Sequence, residues 1–146
     1  MLIDQVSVFL ENKPGRAAAV ANVLGEAGLN IRAMSLNDTN RFGVMHLILD
    51  RPQAGFEALK NAHMVISMSQ VLAIRMDDTP GGLCHVLQTL GEANLNVEYA
   101  YAYVSPVPGG AVVILRVEEN DETAMQAYQV LQDAGIQLLK PEEAYR

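Results

Sequence analysis

The chain has 146 residues, half of them apolar, and its 17 acidic residues outweigh 10 basic ones for a net charge of −7. Nucleic acid and anionic membrane surfaces are bound through clustered Lys and Arg, so this balance argues against both as partners. The single cysteine, Cys84, has no second thiol for an internal disulfide, which points to a reducing, cytoplasmic setting.

The start, Met1-Leu2-Ile3-Asp4-Gln5, has no basic segment followed by a long apolar one, so no secretory signal is expected. Val6, Val8 and Leu10 alternate with Gln5, Ser7 and Phe9, the period of a strand with one core face. Glu11-Asn12-Lys13-Pro14-Gly15 breaks that strand with a Pro-Gly turn. From Arg16 the period changes. Ala17, Val20, Ala21, Leu24 and Ala27 form a helical stripe, and Gly28 supplies the left-handed residue that ends such a helix. Strands are predicted over 30–36, 43–49 and 64–68, with a polar turn at 37–40 and a short helix opened by Pro52 that carries Phe56, Leu59 and Ala62.

The second half repeats this order. A strand over 71–76 precedes a helix over 81–93, with Leu83, Val86, Leu87, Leu90 and Ala93 on one stripe and Asn94 in the place of Gly28. Strands over 95–104 and 111–117 flank a Pro- and Gly-rich loop at 105–110. The longest clean apolar run, Ala111 to Leu115, is far too short to cross a bilayer. A helix over 121–134 begins with Asp121-Glu122, which suits the positive end of its dipole. Gly135 caps it, and a last strand over 136–140 stops at Pro141.

The halves are copies. Aligned without a gap at an offset of 66 residues, positions 14–31 and 80–97 agree at nine of eighteen places, including Pro14/Pro80, Gly15/Gly81, Leu24/Leu90, Glu26/Glu92 and Asn30/Asn96. Repetition at a fixed period sets the architecture before any single element does. Each copy reads strand–helix–strand–strand–helix–strand, the split βαβ or ferredoxin-like plan. The fold class is therefore α+β: two βαββαβ units, 1–69 and 70–146, with antiparallel sheets packed side by side and helices on one face. Only Ser69-Gln70 separates the copies, too little for independent motion, so one rigid body is expected.

The corner itself suits a small zwitterion. Gly15-Arg16-Ala17 and Gly81-Gly82-Leu83 are expected to present unpaired backbone N–H groups at a helix start, an anion site worth ~0.3–2 kcal/mol from the dipole. Glu11, Asn12, Asp77 and Asp78 offer oxygens to an ammonium group. The competing reading is that Asn12 and Asp78 only cap their helices, the commonest task of such residues.

A strand, a [D/E/N]-x-x-P-G turn, and a helix ending in A-x-L-N-[I/V] before a second strand together resemble the ACT domain. Glu11–Gly15 with Ala27–Ile31 carries the pattern once, and Asp77–Gly81 with Ala93–Val97 carries it again. The resemblance covers nearly the whole chain and implies a stand-alone, tandem regulatory protein without catalytic activity of its own. It implies that an amino acid or similar zwitterion binds near the turn, at an interface between paired domains; with the duplicated turn, a homodimer that acts on a separate enzyme or merely buffers the ligand is expected. No cofactor or metal is implied. Carried over by position, the ligand residues are Asn12, Lys13, Pro14, Gly15 and Arg16, with Asp78, Thr79, Pro80, Gly81, Gly82 and Leu83. Asn30, Ile31, Asn96 and Val97 are expected alongside. Arg16 stands where the other copy has Gly82, so the two sites need not be equivalent.

Other residues give weaker signals. Tyr99, Tyr101 and Tyr103 share one strand face; they wall a pocket, make a dimer contact, or form a cross-strand packing row. His46, His63 and His85 lie on different elements, and no metal-ligand spacing occurs. Cys84 and His85 are adjacent on a helix and so do not face each other; Cys84 reads as a small buried or half-buried filler. No nucleophile–base pair is evident, so an enzyme on this scaffold is the weaker reading. A subunit that docks on an enzyme of amino-acid metabolism and binds nothing small is the alternative.

Overall fold

A computed structural model describes residues 2–39, 42–103, 110–118 and 120–146. The elements in order are β1 (Ile3–Glu11), α1 (Arg16–Glu26), β2 (Ile31–Thr39), β3 (Phe42–Leu49), α2 (Pro52–Asn61) and β4 (Val65–Met76). Then follow α3 (Gly82–Glu92), β5 (Val97–Ala102), β6 (Ala111–Val117), α4 (Asp121–Asp133), β7 (Gln137–Leu138) and α5 (Pro141–Ala144). Contacts divide the chain into an N-terminal unit of residues 4–69 with Tyr145 and Arg146, and a C-terminal unit of residues 70–144 with Leu2 and Ile3.

The N-terminal unit has strand order β2-β3-β1-β4. β1 and β3 are antiparallel, with Val6 opposite Leu47 and Glu11 opposite Phe42, and β2 pairs β3 antiparallel in turn. Because side chains alternate along a strand, Val6, Val8 and Leu10 fall on one face. There they form a core with Val20 and Leu24 of α1, Leu29, Met45, Leu47 and Leu49 of the sheet side, and Leu59 of α2. The opposite face is polar at its centre. Gln5 is fully buried, and its amide donates to Ser7 Oγ at 3.3 Å and Ser69 Oγ at 3.1 Å.

The C-terminal unit repeats the plan as β5-β6-β4-β7. Leu72 opposes Leu115 and Ile74 opposes Val113 on antiparallel β4 and β6. Leu72, Ile74, Val86, Leu90 and Leu95 stand 66 residues after Val6, Val8, Val20, Leu24 and Leu29, and bury the same way with Ala127 and Leu131 of α4. Each copy is thus an α+β unit of the βαββαβ kind.

Several sequence expectations shift. The strands predicted at 64–68 and 71–76 are one continuous strand, β4, so Ser69 and Gln70 are strand residues. Ser69 belongs to the polar cluster around Gln5, which its hydroxyl helps to satisfy. β2 runs on to Thr39, three residues past the predicted end, paired through Asn37 and Asp38 to Val44 and Gly43. The rest of that predicted turn, and most of the loop at 105–110, lie outside the described residues. β7 is only two residues long, and Pro141 opens α5 instead of merely stopping a strand, since proline's fixed φ suits a first helical position. The helix stripes are narrower than their periodicity implied. On α3, Val86 and Leu90 are buried while Leu83 and Leu87 are exposed, and Cys84 is exposed as well.

Candidate functional site

Both Pro-Gly corners are built alike. Gly15 (φ 86°) and Gly81 (φ 90°) precede α1 and α3 in the left-handed conformation that only glycine adopts freely. No side chain caps either helix. Asn12 therefore does not cap α1; its amide donates instead to Asp38 Oδ2 at 2.8 Å. The amides of Arg16 and Gly82 are used inside the turn, donating to Lys13 O at 3.3 Å and Thr79 O at 3.1 Å. That corrects the expectation that these two N–H groups face outward.

Beside each corner lies a cavity. In the C-terminal unit it is about 550 Å³, lined by the end of β4, the corner, the first turn of α3 and the turn entering β7. Thr79, Pro80, Gly81 and Gly82 line it, joined by Arg75, Asp77, His85 and Gln137. In the N-terminal unit the equivalent cavity is about 450 Å³. Arg16 is the candidate ligand residue that lines it, with Glu11, His63 and a wall of Phe9, Ala19, Phe42, Met64 and Val65.

The corners differ in charge and in backbone. Glu11 is paired to Lys13 Nζ at 2.9 Å and lies 4.0 Å from Arg16. The Lys13 hydrogen bond and charge, then the Arg16 charge, hold the Glu11 carboxyl below the usual glutamate range. The Glu11 carbonyl accepts from Lys13 N at 2.8 Å. At the C-terminal corner the Asp77 carbonyl packs against Gly82 instead, where a Cβ would overlap it.

The remaining candidates lie elsewhere within their units. Asn12, Lys13, Pro14 and Gly15 sit in the corner but do not line the N-terminal cavity, and Asp78 and Leu83 do not line the C-terminal one. Leu83 faces solvent. Ile31 opposes Leu49 of β3, while Glu11 opposes Phe42 at the other end of that strand. Asn30 and Ile31 therefore stand at the opposite end of the sheet from the corner of their own unit, and Val97, opposite Val117, repeats the arrangement together with Asn96. Asn30 N donates to Asp50 Oδ1 at 3.0 Å, and Asn96 O accepts from Glu118 N at 3.1 Å.

Residues that periodicity did not flag are Arg75, Gln137 and their repeat partners. β7 pairs with β4 so that Arg75 and Gln137 are cross-strand neighbours. A 62-residue separation in sequence hides that proximity, although a fourth strand returning beside the first is implied by the βαββαβ plan. In the tyrosine row, Tyr99 and Tyr101 stack along β5 with centroids 6.4 Å apart, and Tyr103 Oη donates to Ala144 O.

A Ser–His contact, unforeseen in the sequence, joins Ser7 Oγ and His46 Nδ1 at 2.9 Å. Ser7 is buried and lines neither of these two cavities. Among the described residues no cluster of His, Cys, Asp and Glu could hold a metal ion, and no helix is long and apolar enough to cross a membrane.

A family model described as an ACT domain pair matches residues 1–126. Among solved structures, protein BT0572 from Bacteroides thetaiotaomicron is similar over all of this chain and 97% of its own, at 29% identity and a TM-score of 0.89. The regulatory subunit of aspartate kinase from Thermus thermophilus, in a ligand-free form, aligns over 90% of this chain and 91% of its own at 19% identity and a TM-score of 0.61. The equivalent Thermus flavus subunit aligns at 16% identity, with 90% and 92% covered and a TM-score of 0.57. At those identities the two subunits speak to the fold. No curated protein sequence matches the chain.

Proposed function

The chain belongs to the ACT domain pair family, and from that premise we propose that it is a regulatory protein that binds an amino acid and catalyses nothing itself. One observation carries the reading: the Pro80-Gly81 corner forms part of the wall of a cavity of about 550 Å³ that places Arg75 and Asp77, of opposite charge, in the same wall. Small-molecule sites commonly occupy roughly 300–1,000 Å³ with a few convergent polar groups. Asp77 offers a carboxylate to an α-ammonium group, and the uncapped start of α3 favours an α-carboxylate. Asp78, Thr79 and Gly82 complete the corner, with the Asn96–Val97 segment available only from a second domain or subunit.

The N-terminal corner is the weaker of the two. Its acid is engaged by Lys13 and Arg16, and its cavity wall is largely apolar. This favours a second, narrower reading for that half, docking against a partner protein. The resemblance to regulatory subunits of aspartate kinase makes an enzyme of amino-acid metabolism the partner to try first. We place the protein in a homodimer, with Leu83 and Leu87 exposed one helical turn apart on α3 as contact residues.

Thermal denaturation of the intact chain against each of the twenty amino acids tests the reading. A ligand at a hundred times its Kd contributes about 2.7 kcal/mol, which raises Tm by roughly 5–10 °C in a chain of this size. If no amino acid shifts Tm or gives heat in calorimetry, the proposal fails.

A further inference from the structure

The two cavities occupy the same place in their repeats yet differ in chemistry at three corresponding positions. Arg75, His85 and Gln137 line the C-terminal cavity, where the N-terminal one has Phe9, Ala19 and Val65. Resting on the amino-acid reading above, we propose that the C-terminal cavity selects an amino acid whose side chain carries a carboxylate or carboxamide, recognised by Arg75, Gln137 and His85.

Groups of the right kind are present in the right number. Asp77 and the corner answer the two poles common to all amino acids, and Arg75, His85 and Gln137 line the same cavity beside them. Arg75 and Gln137 are register partners on β4 and β7, so both side chains leave the same sheet face. A guanidinium presents a planar fork that matches a carboxylate or an amide oxygen. The Gln137 amide both donates and accepts, which suits a carboxamide equally. His85 enters from the first turn of α3, on the far side of the corner. An apolar side chain placed there would desolvate these groups and give them no partner in return. The N-terminal cavity has Phe9, Ala19 and Val65 in place of these three groups, and the basic residues that remain in its wall are His63 and Arg16, the latter 4.0 Å from Glu11. The set of Arg75, Gln137 and His85 is thus a property of one repeat.

The test is calorimetric titration of the intact chain with aspartate, glutamate, asparagine, glutamine, leucine, methionine and alanine. At least one of the first four is expected to bind tenfold or more tightly than leucine or methionine, and the acid and amide arms separate the two side-chain groups. Arg75→Met should weaken that ligand by about ten- to a hundredfold, the effect of losing a charge-assisted hydrogen bond. Gln137→Val installs the residue of the other repeat at an exposed position and so keeps the fold; it should lower the preference in the same direction. Tightest binding of leucine or methionine, or a preference unmoved in both variants, overturns this inference while leaving amino-acid binding intact. Binding of none of the seven or of any other amino acid defeats both readings.

Discussion

Gly82 lies against the carbonyl oxygen of Asp77 so closely that a Cβ at residue 82 would overlap that oxygen. The obstacle is backbone, so it cannot swing aside as a side chain would. Arg16 fills the same place in the other repeat, where the Glu11 carbonyl is engaged by Lys13 N. Gly82→Ala is therefore expected to destabilise the protein by about 1–3 kcal/mol, the usual range for overpacking. Arg16→Ala, on an exposed side chain, should change stability by less than about 0.5 kcal/mol. Urea unfolding of both variants decides: equal effects would mean that the two corners share one backbone shape.

Asn120 and Asn12 both precede helices, and only one of them caps. Asn120 Oδ1 accepts from Thr123 N at 2.9 Å, whereas Asn12 reaches sideways to Asp38 in an exposed bond. Asn120→Ala should lose about 1 kcal/mol, within the 0.5–2 kcal/mol range of N-cap removal. Asn12→Ala should lose well under half of that. Matching losses in chemical denaturation would return Asn12 to a capping role.

That contrast also shows what the sequence could and could not yield. The corners, the left-handed Gly28 and Asn94, and the paired cores of Val20/Leu24 and Val86/Leu90 were legible, because each follows from local spacing or from a residue's own φ preference. Asn12 was ambiguous since an Asx residue before a helix has two uses, and the choice depended on Asp38, 26 positions away. Arg75 and Gln137 were missed for the same reason: their meeting is a strand pairing, and periodicity is blind to partners. Ser69-Gln70 read as a boundary because two polar residues interrupt an apolar run. The Ser69 hydroxyl instead serves the chain interior, accepting from buried Gln5, while the Gln70 backbone carbonyl accepts from Arg116 Nη1 at 2.6 Å.

The ion pair at the N-terminal corner predicts a salt-sensitive titration. Lys13 first, and then Arg16, hold the Glu11 carboxyl below its ordinary value. A depressed folded pKa gives stability that is present above the unfolded value and is lost as pH falls through the folded one. Glu11 is fully exposed, so the interaction is screened and the effect on global stability should be small. NMR titration should find Glu11 more acidic than a free glutamate at low salt. In 1 M salt, or in Lys13→Met, the shift should shrink. A Glu11 titration indifferent to both would break the assigned cause.

The burial of Tyr101 predicts a loss of stability at alkaline pH. Burial, and secondarily the neighbouring Tyr99 and Tyr103, push its phenol far above the ordinary tyrosine range, and burial raises Tyr145 as well. In the unfolded chain a tyrosine releases its proton near pH 10. Above that pH the unfolded state holds fewer protons than the folded one, so stability falls as pH rises. Below about pH 10 the contribution is fully present. The slope from one such group is at most about 1.4 kcal/mol per pH unit. Tyr101→Phe keeps the ring that stacks on Tyr99 and removes the ionisable group. The variant should show a shallower alkaline decline in urea midpoint between roughly pH 10 and 11.5. Absorbance titration of the folded wild type should resolve a late tyrosine class that Tyr101→Phe diminishes. A single transition near pH 10 for all five tyrosines would place Tyr101 in contact with water and remove the basis for the prediction.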